Sequence, residues 1–195
     1  GSWATASDST AADGTKLATP DNGFSTTDVA LASPTHYVDV AFNADAGVPY
    51  ALWLRLNALN DNKFNDSIWV QFSDATVNGS PVYPINSSSG LCVNLATDAT
   101  ASSLDGWGWQ NGCYWLSQAT RVTFASSGPH TMRIQLREDG VQLDQIILSS
   151  RTSLTPRPGP AGGNHTIVPR PGTPPPPPPP TATDIVVYAS DIPAT

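Results

Sequence analysis

Four stretches of this chain alternate apolar and polar residues with a period of two, a rhythm that admits strands and little else. Val38, Val40 and Phe42 alternate with Tyr37, Asp39 and Ala41, and Leu52, Leu54 and Leu56 with Trp53 and Arg55. Ile68, Val70 and Phe72 alternate with Trp69 and Gln71, and Met132, Ile134 and Leu136 with Arg133 and Arg137. A fifth stretch starts at Leu143 and continues inward through either Ile146 or Ile147. Turn formers separate them: Ala46-Gly47, Asn78-Gly79, Ser127-Gly128-Pro129 and Asp139-Gly140. Charged residues make up only 13%, with Glu138 the single glutamate and Lys16 and Lys63 the only lysines, so strong helix formers are scarce. The fold expected is an all-β, antiparallel β-sandwich whose apolar face gathers the alternating residues above.

Composition divides the chain into three zones. Residues 1–150 read as the sandwich. Residues 151–183 read as a linker, with 12 prolines between positions 156 and 180 and an unbroken run of seven at 174–180. Proline fixes φ and lacks an N–H, so this zone is expected to be a polyproline II arm. Beyond it, residues 184–195 hold a strand-like apolar segment, Ile185, Val186, Val187 and Tyr188.

The net charge of −7 argues against nucleic acid, which calls for basic patches to neutralise phosphates. No apolar run reaches the ~20 residues that span a bilayer, so membrane insertion is not expected. Two cysteines cannot close a zinc site by themselves. Cys92 and Cys113 are expected to form a disulfide, and with sparse lysines and four N-x-S/T sequons, at Asn65, Asn78, Asn86 and Asn164, they point to an extracellular glycoprotein. Thr166, Thr173, Thr181 and Thr183 flank the prolines as candidate O-glycosylation sites.

In order, DGTKL, HYVDVAF, GVPYALWLRLNA, NDSIWVQF, WGWQ and SSGPHTMRIQLREDGVQLDQIIL resemble the calcium-dependent jelly-roll carbohydrate-binding modules of galactose-binding-like fold. The resemblance covers residues 1–150, through short elements of moderate specificity. It implies calcium ligands at Asp13, Asp144 and Asp191, although the opening acids of those modules are replaced here by Tyr188, Ala189 and Ser190. It also implies an opening strand that residues 1–150 lack and that residues 184–191 supply from the far end. The sequence therefore reads as one out-of-frame repeat of a tandem array, its last strand belonging to the next copy's sandwich.

Catalysis is not expected. Glu138 and Asp139 are neighbours in one extended stretch and point to opposite faces, and His36, His130 and His165 have no nucleophile motif beside them. Trp107, Trp109, Tyr114 and Trp115 crowd one stretch near Cys113 and are candidate stacking surfaces for a sugar. The alternative is that this stretch folds over one end of the sandwich and its rings pack as a small core. Two functions follow: a structural repeat of an extracellular filament, joined head to tail with copies of itself through a donor strand, or a carbohydrate-binding module that targets an attached enzyme or cell to polysaccharide.

Overall fold

The computed structural model describes residues 2–26, 28–151, 154–170 and 184–193. The calls on Thr173, Thr181, Thr183 and the seven-proline run lie outside them. Thirteen strands follow one another among the described residues: β1 (Ala4–Ser7), β2 (Thr15–Ala18), β3 (Tyr37–Ala44), β4 (Tyr50–Ala58), β5 (Ser67–Phe72), β6 (Ala75–Val77) and β7 (Ser80–Pro81). Then come β8 (Leu91–Asn94), β9 (Gly108–Gln110), β10 (Arg121–Phe124), β11 (Gly128–Leu136), β12 (Val141–Ser149) and β13 (Ile185–Tyr188). No α-helix occurs among the described residues.

The strands form two antiparallel sheets. One runs β3-β11-β5-β8; the other runs β1-β2-β12-β4-β10-β6-β7, with β13 also on β12 and β9 also on β4. The chain changes sheet eight times, on entering and on leaving each of β3, β5, β8 and β11, which is how an antiparallel sandwich closes around a single core. In the first sheet Ile134 stands opposite both Val38 and Val70; in the second Leu54 stands opposite Ile146. All residues expected on the apolar face are buried in one cluster, so the period-two reading fixed the register correctly.

The choice between Ile146 and Ile147 is settled by a bulge. Between Leu143 and Gln145 the pairing of β12 with β4 slips by one residue at Asp144. The slip moves the inward position from odd to even numbers, so Ile146 and Leu148 join Leu143 in the core. Ile147 turns to the outer face, where it packs with Trp53, Trp109 and Val168.

That outer face corrects the expectation of a free linker. Residues 154–170 lie across the second sheet. The Trp53 indole donates to Leu154 O at 2.7 Å, the Trp109 backbone N–H to Pro160 O at 3.0 Å, and Gln145 and Val168 exchange hydrogen bonds at 2.8 and 3.1 Å. Gly108 is required there, since a Cβ would stand 1.8 Å from Ala161 O. Ala161, Asn164 and Val168 are buried, because outward-facing Trp53, Trp109 and Ile147 give an apolar surface that must be covered.

The terminal strand also departs from expectation. β13 pairs antiparallel with β12 of its own chain, from Gln145 opposite Tyr188 to Leu148 opposite Ile185, beyond the point where β2 leaves that edge. Asp184 anchors its start, accepting from Ser149 Oγ at 2.5 Å and pairing with Arg151. A 3-10 turn at Ala189–Asp191 follows, and Ala189 and Ile192 enter the core alongside Trp3. The edge left open by residues 1–150 is thus closed in the same chain, where Ser190 Oγ also donates to Asp13 Oδ2 at 2.5 Å.

Candidate ligand-binding cleft

The candidate site is built at one end of the four-stranded sheet, where β5 starts and β8 and β11 finish. Antiparallel pairing brings these three ends together: Glu138 N–H donates to Ser67 O at 3.1 Å, and Leu95 N–H to Asp66 O at 2.9 Å. Asp66, Asn94 and Glu138 therefore form the floor of one cleft although 28 and 71 residues separate their neighbourhoods along the chain.

The floor is closely hydrogen-bonded. Asp66 accepts from the Asn94 amide and from Ala96 N–H at 3.2 Å. Glu138 accepts from Ser67 Oγ at 2.5 Å and from Arg137 Nη1 at 2.7 Å, and that same nitrogen donates to Ser67 Oγ at 2.8 Å. Asp66 is almost wholly buried; loss of hydration, reinforced by the adjacent Glu138 carboxylate, raises its pKa from 3.8 to about 7. Asp98, at the rim, is held below its ordinary value by hydrogen bonds from Thr100.

The walls are aromatic. Phe64, Tyr114 and Trp115 are 64%, 48% and 43% exposed and all face the cleft, whose cavity measures about 170 Å³. Tyr114 and Trp115 meet edge to face at 4.6 Å, and the Arg137 guanidinium lies over Trp115 at 5.1 Å. The expected disulfide is formed, with Cα atoms 5.6 Å apart, and ties β8 to the loop that carries both rings. Gln118 holds the same loop again: its Oε1 accepts from Cys92 N–H at 2.9 Å and its amide donates to Gly90 O at 2.8 Å.

The four aromatic candidates thus part into two pairs. Trp107 and Trp109 are buried. The Trp107 indole donates to Thr10 Oγ1 at 2.8 Å, and that of Trp109 to Thr166 O at 3.1 Å beneath residues 154–170. Only Tyr114 and Trp115 reach the surface. Phe64, Asp66, Asn94, Arg137 and Glu138 were not expected at a site: they lie in three separate segments, and no local pattern marks them.

Asp13, Asp144 and Asp191 do not fit a calcium ion. Asp144 is fully buried against Arg55, whose guanidinium also donates to Thr10 O and Asn164 O and lies 5.0 Å over Trp107. Asp191 is paired with Arg170 at 2.6 Å, and Asp13 accepts from Ser190 Oγ at 2.5 Å. Two guanidinium groups already neutralise the acids a cation would need, and among the described residues no cluster of three or more metal-binding side chains occurs.

The sequons divide in the same way. Asn65 and Asn164 are buried, with their side-chain amides donating to Asp21 Oδ2 at 3.0 Å and Pro160 O at 3.2 Å, which leaves no room for a glycan on the folded chain. Asn78 and Asn86 are exposed, as is Thr166.

No family model matches this chain, and no curated protein matches it. Among solved structures it is similar to the C-terminal CBM6 of LamC, a marine laminarinase from Zobellia galactanivorans. The two are 13% identical over 75% of this chain and 86% of that one, with a TM-score of 0.39. That likeness is loose, and the sandwich and its cleft stand on this chain's own register and contacts.

Proposed function

We propose that the chain is a non-catalytic, extracellular carbohydrate-binding module whose cleft stacks sugar rings on Trp115, Tyr114 and Phe64. One observation carries the reading: five of the six tryptophans are buried, and the exposed one stands with two other exposed rings around a hydrogen-bonding floor. Exposed apolar rings gathered in one place have a cost in water that a ligand relieves. Sugars present apolar C–H faces to rings and hydroxyls to carboxylates and amides, which is the chemistry of this wall and floor. Binding is favoured over cleavage, because both carboxyl groups of the floor are already held by hydrogen bonds within it, Asp66 by Asn94 and Ala96 N–H and Glu138 by Ser67 and Arg137. Affinity electrophoresis in gels cast with neutral polysaccharides should retard the chain, and Trp115→Ala should abolish the retardation while leaving the melting curve in place. Equal retardation of both proteins would overturn the assignment.

The pairing of β13 favours a second reading, in which copies join head to tail. Every copy offers the same β12 edge, and a neighbour's residues 184–193 would find there the partners they have in their own chain. Such exchange is heterologous and gives open filaments. Light scattering and negative-stain images of concentrated protein should then show assemblies that a variant lacking residues 184–195 does not form. A monomer at every concentration would end this reading.

A further inference from the structure

A larger cavity of about 460 Å³ lies beside the cleft, lined among others by Asp21, Phe24, Ser25, Asn62 and Asp139. The two share Phe64, Arg137 and Glu138 as a common wall. We infer that they form one groove, with Phe64 as the saddle between its halves, that takes several consecutive units of an uncharged linear glycan. This rests on the carbohydrate reading above.

Size argues for several units. The cleft alone falls short of the roughly 300–1,000 Å³ of sites that enclose a drug-sized ligand, whereas the two halves together fall within it. Ring surfaces are distributed along the whole length: Trp115 and Tyr114 at one end, exposed Phe64 in the middle, and half-buried Phe24 in the second half. A single sugar ring leaves part of that surface wet; a chain covers it.

Charge argues for an uncharged ligand. Asp21, Asp98, Glu138 and Asp139 line the groove against Lys63 and Arg137, so a uronate or sulfated chain meets a net excess of negative charge. A polycation is not called for either, since each acid already has a donor. Asn65 serves Asp21 and Asn94 serves Asp66; Thr100 serves Asp98, Arg137 serves Glu138, and Asn22 N–H serves Asp139 at 2.7 Å. Their remaining lone pairs suit hydroxyl donors.

Calorimetric titration with disaccharides and hexasaccharides of neutral glucans, xylans and mannans, beside oligogalacturonate and chitosan oligomers, tests this. One neutral series should bind at least about tenfold more tightly as the hexasaccharide than as the disaccharide, the gain expected of further ring contacts. Ser25→Trp, an exposed position that would plug the second half, should bring the hexasaccharide down to the disaccharide's affinity. Phe24→Ala should do the same, and Ser25→Trp serves where that variant melts early. Equal affinity for short and long ligands overturns the extended groove and leaves the carbohydrate reading standing. Tighter binding of a charged series overturns the uncharged ligand. No binding by any sugar overturns both.

Discussion

Trp107 and Trp109 lie within eight residues of Tyr114 and Trp115, yet the first pair is inside the protein and the second outside. Local sequence does not separate them, since both pairs sit in Gly- and Asn-rich surroundings. The difference lies in what the rest of the chain brings. Trp109 stands opposite Arg55 in β9, on a sheet face that residues 154–170 cross and seal. Tyr114 and Trp115 follow Cys113 onto the rim of the other sheet, where the disulfide and Gln118 fix the loop and no segment among those described covers the rings. A ring's role is decided by its lid, and the lid is a long-range property.

The sharpest way to break that comparison is to remove the covered ring. Trp109→Ala should destabilise the fold by about 3–5 kcal/mol, as truncation of a large buried aromatic does, and should also loosen residues 154–170. Urea unfolding measures the first, and limited proteolysis within residues 154–170 the second. A loss under about 1 kcal/mol would mean that the outer cluster is not a true core.

Next comes the staple. Replacing Cys92 and Cys113 with alanine frees a loop of some 20 residues and should cost about 3 kcal/mol by loop-closure entropy. It should also weaken ligand binding, because Tyr114 and Trp115 lose the anchor that presents them. Unchanged binding after that loss of stability would show that Gln118 alone positions the loop.

These contrasts show why some of the structure was legible in the sequence. Alternation is local, and it placed Val38 through Leu136 in the core with the correct register. The bulge at Asp144 is invisible in the residues themselves, so Ile146 and Ile147 could not be told apart. Proline content argued against helix and strand over residues 156–180, and residues 156–170 hold neither, but it could not reveal that an apolar outer face would recruit them. The same content suggested an outward arm, whereas Ile192 and Ala189 find their core place beside Trp3 of the same chain. The cleft floor was least legible, because Asp66, Asn94 and Glu138 become neighbours only when three strand ends meet.

That floor gives the third test. Asp66 in the folded chain keeps its proton up to about pH 7, whereas in the unfolded chain it releases it near 3.8. Between those values the native state binds more protons, so this group's contribution is most favourable below the lower value. It falls as pH rises through the window and is level above about 7. Asp66→Asn keeps an acceptor for Ala96 N–H and removes the titration, so it should flatten this slope and leave the variant about 1–2 kcal/mol more stable than the parent at pH 8. Melts at pH 4.5, 6 and 8 decide it; parallel slopes for the two proteins would dismiss the buried proton.

The smallest effect on stability is the most telling about function. Trp115 is nearly half exposed, its contacts are an edge against Tyr114 and the Arg137 guanidinium above it, and it does not belong to the core. Removing it leaves no cavity. Surface substitutions of that kind move stability by about 0.5 kcal/mol or less. If the ring exists to hold the fold together, Trp115→Ala should lower stability and leave affinity unchanged. If it exists to meet a sugar, Trp115→Ala should lower affinity at least tenfold, about 1.4 kcal/mol, while Trp115→Phe, which keeps a flat ring, recovers part of it. Trp109→Ala makes the complementary measurement, with stability falling severalfold further than for Trp115→Ala. The contrast fails if Trp115→Ala proves as destabilising as Trp109→Ala, for the exposed ring would then be a structural one.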